Sequence, residues 1–357
     1  MTLTDISNAR LSSQHLTSSK FKTVKELVAW MGAMQAQDYS MVKWAIGSRL
    51  PGTAEKIIDE AIKKGEIIRA HLMRPTWHIV SADDIYWMLE LTAPQIRSAT
   101  RSRHKDLELT QSILNKTNRI IEKALEGGNH LTRNELNSLF EKAKITLDNN
   151  RSAHIMLSAE LDGIVCSGAT KDNKPSYALL SERVKKTKSY TREEALRKLA
   201  LKYFSSHGPA TLHDFIWWSG LPVKEARMAL ELVKSEFISE KIENETYWLN
   251  NSFSMSNIKK KHAFLLPAYD EFIISYKNRT ASLPFQDQCK AVSNNGIFRP
   301  VVVVNGQVIG IWKRTIKNEK VLIETNFFGA NNKSVKQLID KEALKFGSFL
   351  EKTVEVK

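Results

Sequence analysis

Glu66-Ile67-Ile68-Arg69-Ala70 and Thr76-Trp77-His78-Ile79-Val80, parted by the turn-forming Arg74-Pro75, decide the fold of this chain. Both runs are short and rich in β-branched and aromatic residues, which reads as a two-stranded hairpin. Helical stretches lead into it. Val24 to Met34 carries apolar residues at Val24, Leu27, Val28, Met31 and Met34, one helical stripe. Met41 to Leu50 and Thr53 to Lys64 read as two more helices, the second stopped by Gly65. Helices followed by a hairpin make a winged-helix arrangement. Ala82 to Arg101 is the helix that leaves it.

The same order recurs twice. Thr110 to Leu125 is helical, Thr132-Arg133-Asn134-Glu135 is a capping box, and Asn150 to Leu161 is a third helix. Gly163 to Ser167 and Ser176 to Leu180 form the second hairpin. Thr191-Arg192-Glu193-Glu194 opens a helix to about Ser206; Thr211 to Trp218 and Pro222 to Lys234 follow, and Phe237 to Leu249 supplies the third hairpin. From about His262 the pattern turns to strands. Phe298 to Val304 and Gln307 to Arg314 flank Asn305-Gly306, a hairpin turn pair, and Lys320 to Phe327 is a further strand before a helix from Lys333 to Phe349. The expected fold is therefore α+β: tandem winged-helix modules at 1–105, 106–188 and 189–255, then a small β-barrel or curled β-sheet at 256–357.

Bulk properties point to the partner. The 357 residues carry a net charge of +14, which on a globular chain suits a polyanion, nucleic acid before an acidic membrane surface. Three basic clusters lie at module junctions: Arg97, Arg101, Arg103, His104 and Lys105; then Arg183, Lys185, Lys186 and Lys188; then Lys259, Lys260 and Lys261. They suit contacts to duplex-DNA phosphates. The two cysteines, Cys166 and Cys289, exclude a disulfide framework or zinc ribbon. Nine scattered histidines imply no metal, and no cofactor is expected. With a polar N-terminus and no long apolar run, the expected location is the cytoplasm, with the nucleoid.

Four segments together resemble the winged-helix family of AlkZ- and YcaQ-type DNA glycosylases. They are Met34-Gln35-Ala36-Gln37; Arg74-Pro75-Thr76-Trp77-His78; His207-Gly208-Pro209-Ala210-Thr211 with Asp214-Phe215 and Trp217 to Leu221; and Leu265 to Phe272 with Asn278-Arg279 and Gly310-Ile311-Trp312. They run in the family's order over nearly the whole chain. The resemblance implies a concave DNA-binding surface and excision of alkylated purines by a glutamine pair around an apolar residue. YcaQ-type members have aspartate at the second position, so Gln35 and Gln37 put this chain on the AlkZ side.

Alone, that triplet reads as ordinary polar residues at a helix end. For chemistry the two side chains must converge, and residues i and i+2 share a side only in extended chain. The motif is therefore expected where the helix ends, with Asp38 capping the helix that follows. Arg74 and His78 are further candidates for DNA contact or support of the wing. Trp217 and Trp218 read as core, and the adjacent Asp270 and Glu271 as diverging structural carboxylates. A non-catalytic regulator or a protein-binding scaffold could use the same modules. A regulator normally dimerises on a palindromic site; no dimerisation segment is visible, so a monomer is expected.

Overall fold

A computed structural model describes residues 1–171, 174–186, 188–251, 261–330 and 332–357. The expected boundary near residue 256 and two cations of the third basic cluster, Lys259 and Lys260, lie outside the described residues.

After α1 (Leu3–Ser13), the chain forms α2 (Val24–Met31), β1 (Met34–Gln35), α3 (Tyr39–Gly47), α4 (Glu55–Lys63), β2 (Ile67–His71), β3 (Trp77–Ser81) and α5 (Ile85–Asp106). The order repeats as α6 (Gln111–Leu125), β4 (Leu131–Thr132), α7 (Arg133–Lys142), α8 (Arg151–Leu161), β5 (Val165–Ser167) and β6 (Ser176–Leu179), closed by the short α9 (Leu180–Arg183). The sheets run β1-β3-β2 and β4-β6-β5, so in each the two-residue strand pairs with the second strand of the hairpin. A third round has α10 (Arg192–His207), α11 (Leu212–Ser219), α12 (Val223–Glu231), β7 (Phe237–Ile242) and β8 (Glu245–Asn250). There the short strand shrinks to one bridge, Ala210 to Trp248. The Thr132–Glu135 and Thr191–Glu194 boxes form as their spacing predicted.

The last segment holds β9 (Ala263–Leu266), α13 (Glu271–Ile274), α14 (Gln288–Ala291), β10 (Val301–Val304), β11 (Gln307–Ile316), β12 (Lys320–Phe327), α15 (Lys333–Leu350) and β13 (Thr353–Val356). Its sheet, ordered β13-β12-β11-β10-β9, is a curled half-barrel, the second of the two forms expected. Asn305 and Gly306 take φ of 48° and 79°, the left-handed pair that a tight hairpin between β10 and β11 needs. Among the described residues no helix is long and apolar enough to cross a membrane.

The first sheet is buried on both faces. Cross-strand partners share a face and neighbours along a strand alternate. Ile68, Ala70 and Val80 pack with Tyr203, Phe204, Phe215 and Trp218 of α10 and α11. Met34, Ala36, Ile67 and Ile79 pack with Trp44 of α3, Leu265 of β9, Trp312 of β11 and Phe346 of α15. Both cores thus join residues far apart in sequence, and the first sheet lies between them.

Candidate active site

The helical stripe ends earlier than its periodicity predicts. Met34 is in phase, yet α2 stops at Met31 because Gly32 turns out of the helix with φ +76°. Met34 and Gln35 instead form the edge strand β1, opposite Ile79 and His78 of β3. Ala36 continues the pairing, its N–H donating to the Trp77 carbonyl at 2.8 Å. The glutamines therefore flank an extended residue and not a helical one, as convergence on one ligand requires.

Ala36 is pinned from its other end. Arg69 donates from Nε and Nη2 to the Ala36 carbonyl, each at 3.0 Å. Its guanidinium lies 3.9 Å from the Trp77 ring centre and 5.3 Å from that of Tyr39. Trp77 in turn packs against the His71 ring at 4.0 Å, and His71 donates its main-chain N–H to Glu160 at 2.8 Å. By strand alternation Arg69 and Trp77 stand on the face opposite Gln35 and His78. The hollow of about 280 Å³ lined by Arg69, Trp77, Arg133 and Tyr177 belongs to that opposite face.

On the face of Gln35 and His78, Gln35 is buried; Gln37, beyond the last paired residue, is exposed. The Gln35 N–H donates to Glu271 Oε1 at 2.5 Å, and its side-chain oxygen is 3.4 Å from the Thr76 hydroxyl. Glu271, at the start of α13, also accepts from Trp218 Nε1 at 3.2 Å and from the Ser275 hydroxyl, with His207 Nε2 at 3.4 Å. Burial works against its charge; the contacts from His207, Ser275 and Gln35 N–H outweigh it and hold the carboxyl at about 2. Burial lowers His207 below 6.5 and drives His78 to about 3, so both rings are neutral near pH 7. His78 Nδ1 faces the Thr76 carbonyl at 3.0 Å, which makes it the donor. Asp270 points elsewhere and takes a bidentate pair from buried Arg49 at 2.8 and 2.7 Å. Asp38 caps α3 through the Met41 N–H at 3.0 Å.

The cations named from sequence divide into engaged and open groups. Arg97 pairs with Asp162 at 2.5 Å, Arg103 reaches the Asn149 carbonyl at 3.2 Å, and Lys186 pairs with Glu90 at 3.4 Å. Arg183 donates to the Ile62 and Lys63 carbonyls and so closes the C-terminus of α4. Arg101, Lys105 and Lys185 are exposed. Arg74, at φ +56° in the β2–β3 turn, lies on the glutamine side against Trp217, its guanidinium 5.4 Å from the ring centre. Sequence reasoning passed over Arg69 and Thr76, and gave Glu271 only a structural role. Their sole local signal was membership of the Arg69-Ala70, Thr76-Trp77 and Asp270-Glu271 segments.

The site thus presents two amide side chains, a buried anion behind one of them, and neutral imidazole. It can hold a water and favour positive charge, but it offers no general base titrating near neutrality. Comparison with solved structures finds the same fold in the DNA glycosylase AlkZ of Streptomyces sahachiroi, at 17% identity and a TM-score of 0.81 over 100% of both chains. Comparison with curated protein sequences gave no match. The family described as DNA glycosylase AlkZ-like matches residues 28–349, a span that holds Gln35, Gln37, Arg69, Thr76, His78 and Glu271. This chain belongs to the AlkZ-like DNA glycosylase family and is a DNA-repair hydrolase of the glycosylase class.

Proposed function

We propose that the protein hydrolyses the N-glycosidic bond of purines made cationic by alkylation at nitrogen 7 or 3, with Gln35 and Gln37 holding the attacking water. Glutamine has no useful pKa and serves neither as base nor as acid. It suffices only where the base already carries positive charge and departs without protonation. What the enzyme then contributes is position and electrostatics. Glu271 on the Gln35 N–H and Arg69 on the Ala36 carbonyl fix the backbone before and between the two glutamines. Glu271 also adds a buried negative charge behind Gln35, which favours an oxocarbenium-like transition state.

The three helix–strand–helix–helix–hairpin rounds are read as winged helices that cradle a duplex. Arg101, Lys105 and Lys185, exposed and outside any ion pair among the described residues, are its phosphate contacts; Arg97, Arg103, Arg183 and Lys186 help only if they exchange their present partners. The observation that carries the proposal is the extended, doubly anchored Gln35-Ala36-Gln37 over buried Glu271. The test is base release from DNA treated with a methylating agent. Release of 7-methylguanine or 3-methyladenine by the native protein, lost in Gln37→Ala, is the expected result. No release of either base sinks the proposal.

A further inference from the structure

We propose that Arg74, Lys277 and Arg279, gathered around the Trp217 ring, hold one phosphodiester group of the DNA backbone. Their charged groups lie 5.4, 5.0 and 5.3 Å from the centre of that ring. Trp217 is half-buried and fixed by its Nε1–H, which donates to the Ile274 carbonyl at 2.7 Å. Arg279 is oriented by Nε donation to the Ile273 carbonyl at 3.1 Å, and its guanidinium is 5.0 Å from the Phe298 ring centre. Arg74 is largely buried where Gly220, at φ +69°, leaves room for it: a Cβ there would stand 3.0 Å from Arg74 Cγ.

Three cations on one aromatic ring repel one another unless an anion lies among them. None of the three is in an ion pair with a described residue. The buried Arg74 Nε meets no hydrogen-bond partner among the described residues. The nearby carboxylates are taken. Glu271 serves Gln35, Trp218 and Ser275. Asp214 accepts from the main-chain N–H groups of Lys277 at 2.8 Å, Asn278 at 3.2 Å and Thr211 at 3.0 Å. Burial lowers Arg279 to about 10; the Asp214 charge opposes that shift and the Arg74 charge adds to it. Two guanidiniums and an ammonium, outside any ion pair among the described residues, suit the oxygens of a phosphodiester.

The place of this group follows from the β2–β3 turn. Arg74 stands two residues before Thr76, whose hydroxyl faces Gln35. The phosphate held is therefore one flanking the nucleotide that loses its base, an assignment that rests on Gln35 and Gln37 being the catalytic centre. That the group binds a phosphate at all does not depend on it.

The experiment measures affinity for an undamaged duplex against salt concentration for the native protein, Lys277→Gln and Arg279→Gln. Lys277 is exposed, so its replacement leaves the core intact. Removing one of the three cations leaves that phosphate partly neutralised, so the slope of log affinity against log salt falls by a fraction of the roughly 0.9 due to a whole phosphate contact, and binding weakens by up to about tenfold at low salt. A second arm places single neutral methylphosphonates around a stable abasic-site analogue. The native protein loses affinity at one flanking position, and Arg279→Gln loses less there than the native protein does. Slopes unchanged in both variants overturn the proposal, whatever base release does. Losses in Arg279→Gln that add to those of every methylphosphonate overturn it too. Absence of base release by the native protein overturns the catalytic reading alone.

Discussion

The carboxylate of Glu271 accepts the main-chain N–H of Gln35 at 2.5 Å, across 236 residues of sequence. The contact ties α13 to the strand that carries the glutamine pair. If Gln35 and Gln37 hold the attacking water, it also puts a buried charge beside the position where the sugar becomes cationic. Glu271→Gln separates these two roles, because the amide oxygen still accepts from Gln35 while the charge is gone. The expected result is a kcat lowered on the order of tenfold or more, because preorganised charge that stabilises the transition state is lost, with DNA affinity within about twofold of native. A variant with native kcat reduces Glu271 to a purely structural part.

Its neighbour Asp270 gives the opposite result. Asp270 and Arg49 form a bidentate pair with both side chains almost wholly buried, and Arg49 also reaches Gln14 of the segment after α1 at 2.7 Å. Asp270→Ala strands a buried guanidinium, at a cost of about 3–5 kcal/mol. Urea unfolding is expected to show that loss, while kcat per folded molecule stays native. Equal loss of kcat in Asp270→Ala and Glu271→Gln contradicts the division of labour between the two carboxylates.

Local signals made much of this fold legible. Thr132 with Glu135, Thr191 with Glu194, and Asn305-Gly306 each act within four residues, and each formed as read. The two-residue strands β1 and β4 were not legible, since two residues carry no periodicity; Gly32 was the one sign that α2 ends before Met34. β13 was missed because its partner, β12, lies beyond a whole helix. In the candidate site, Gln35 and Gln37 were proposed from a motif, whereas Glu271 and Arg69, which hold the motif's backbone, act through contacts that no local pattern announces. Arg183 shows the converse. Its charge reads as DNA contact from sequence, but what it faces is the carbonyl end of α4.

The buried imidazoles make stability depend on pH. His78 titrates at about 3 when folded against 6.5 unfolded, and His207 is likewise lowered by burial. A depressed pKa contributes stability that is whole above 6.5 and is lost as pH falls toward the folded value. Between pH 6.5 and 3, His78 alone removes about 1.4 kcal/mol per pH unit. Glu271, at about 2 against 4.5, adds a further loss between pH 4.5 and 2. Urea midpoints measured from pH 8 to 4 test this; His78→Gln is expected to flatten the slope. None of Gln35, Gln37, Glu271 and His78 titrates between pH 6.5 and 9, so kcat is expected to be flat there. A limb centred near pH 7 points to a general base outside this set.

The glutamines themselves allow the sharpest test. If both hold one water, Gln37→Ala and Gln35→Ala each lower base release on the order of 10²-fold, as loss of comparable transition-state donors does. Gln37 is exposed, so its variant stays folded and near-native in DNA affinity. Gln35 is buried against Thr76, so Gln35→Ala also loses some stability and is compared at a temperature where both proteins are folded. The double variant falls less than the product of the single losses, because once one glutamine is gone the water is already misplaced. Gln37→Asp keeps an oxygen for the water and adds negative charge beside the developing cation, so part of the activity survives. Neutral uracil stays attached in every variant and in the native protein, since no group here protonates a poor leaving base. Full activity in both alanine variants, or release of uracil by the native protein, places the chemistry on other residues.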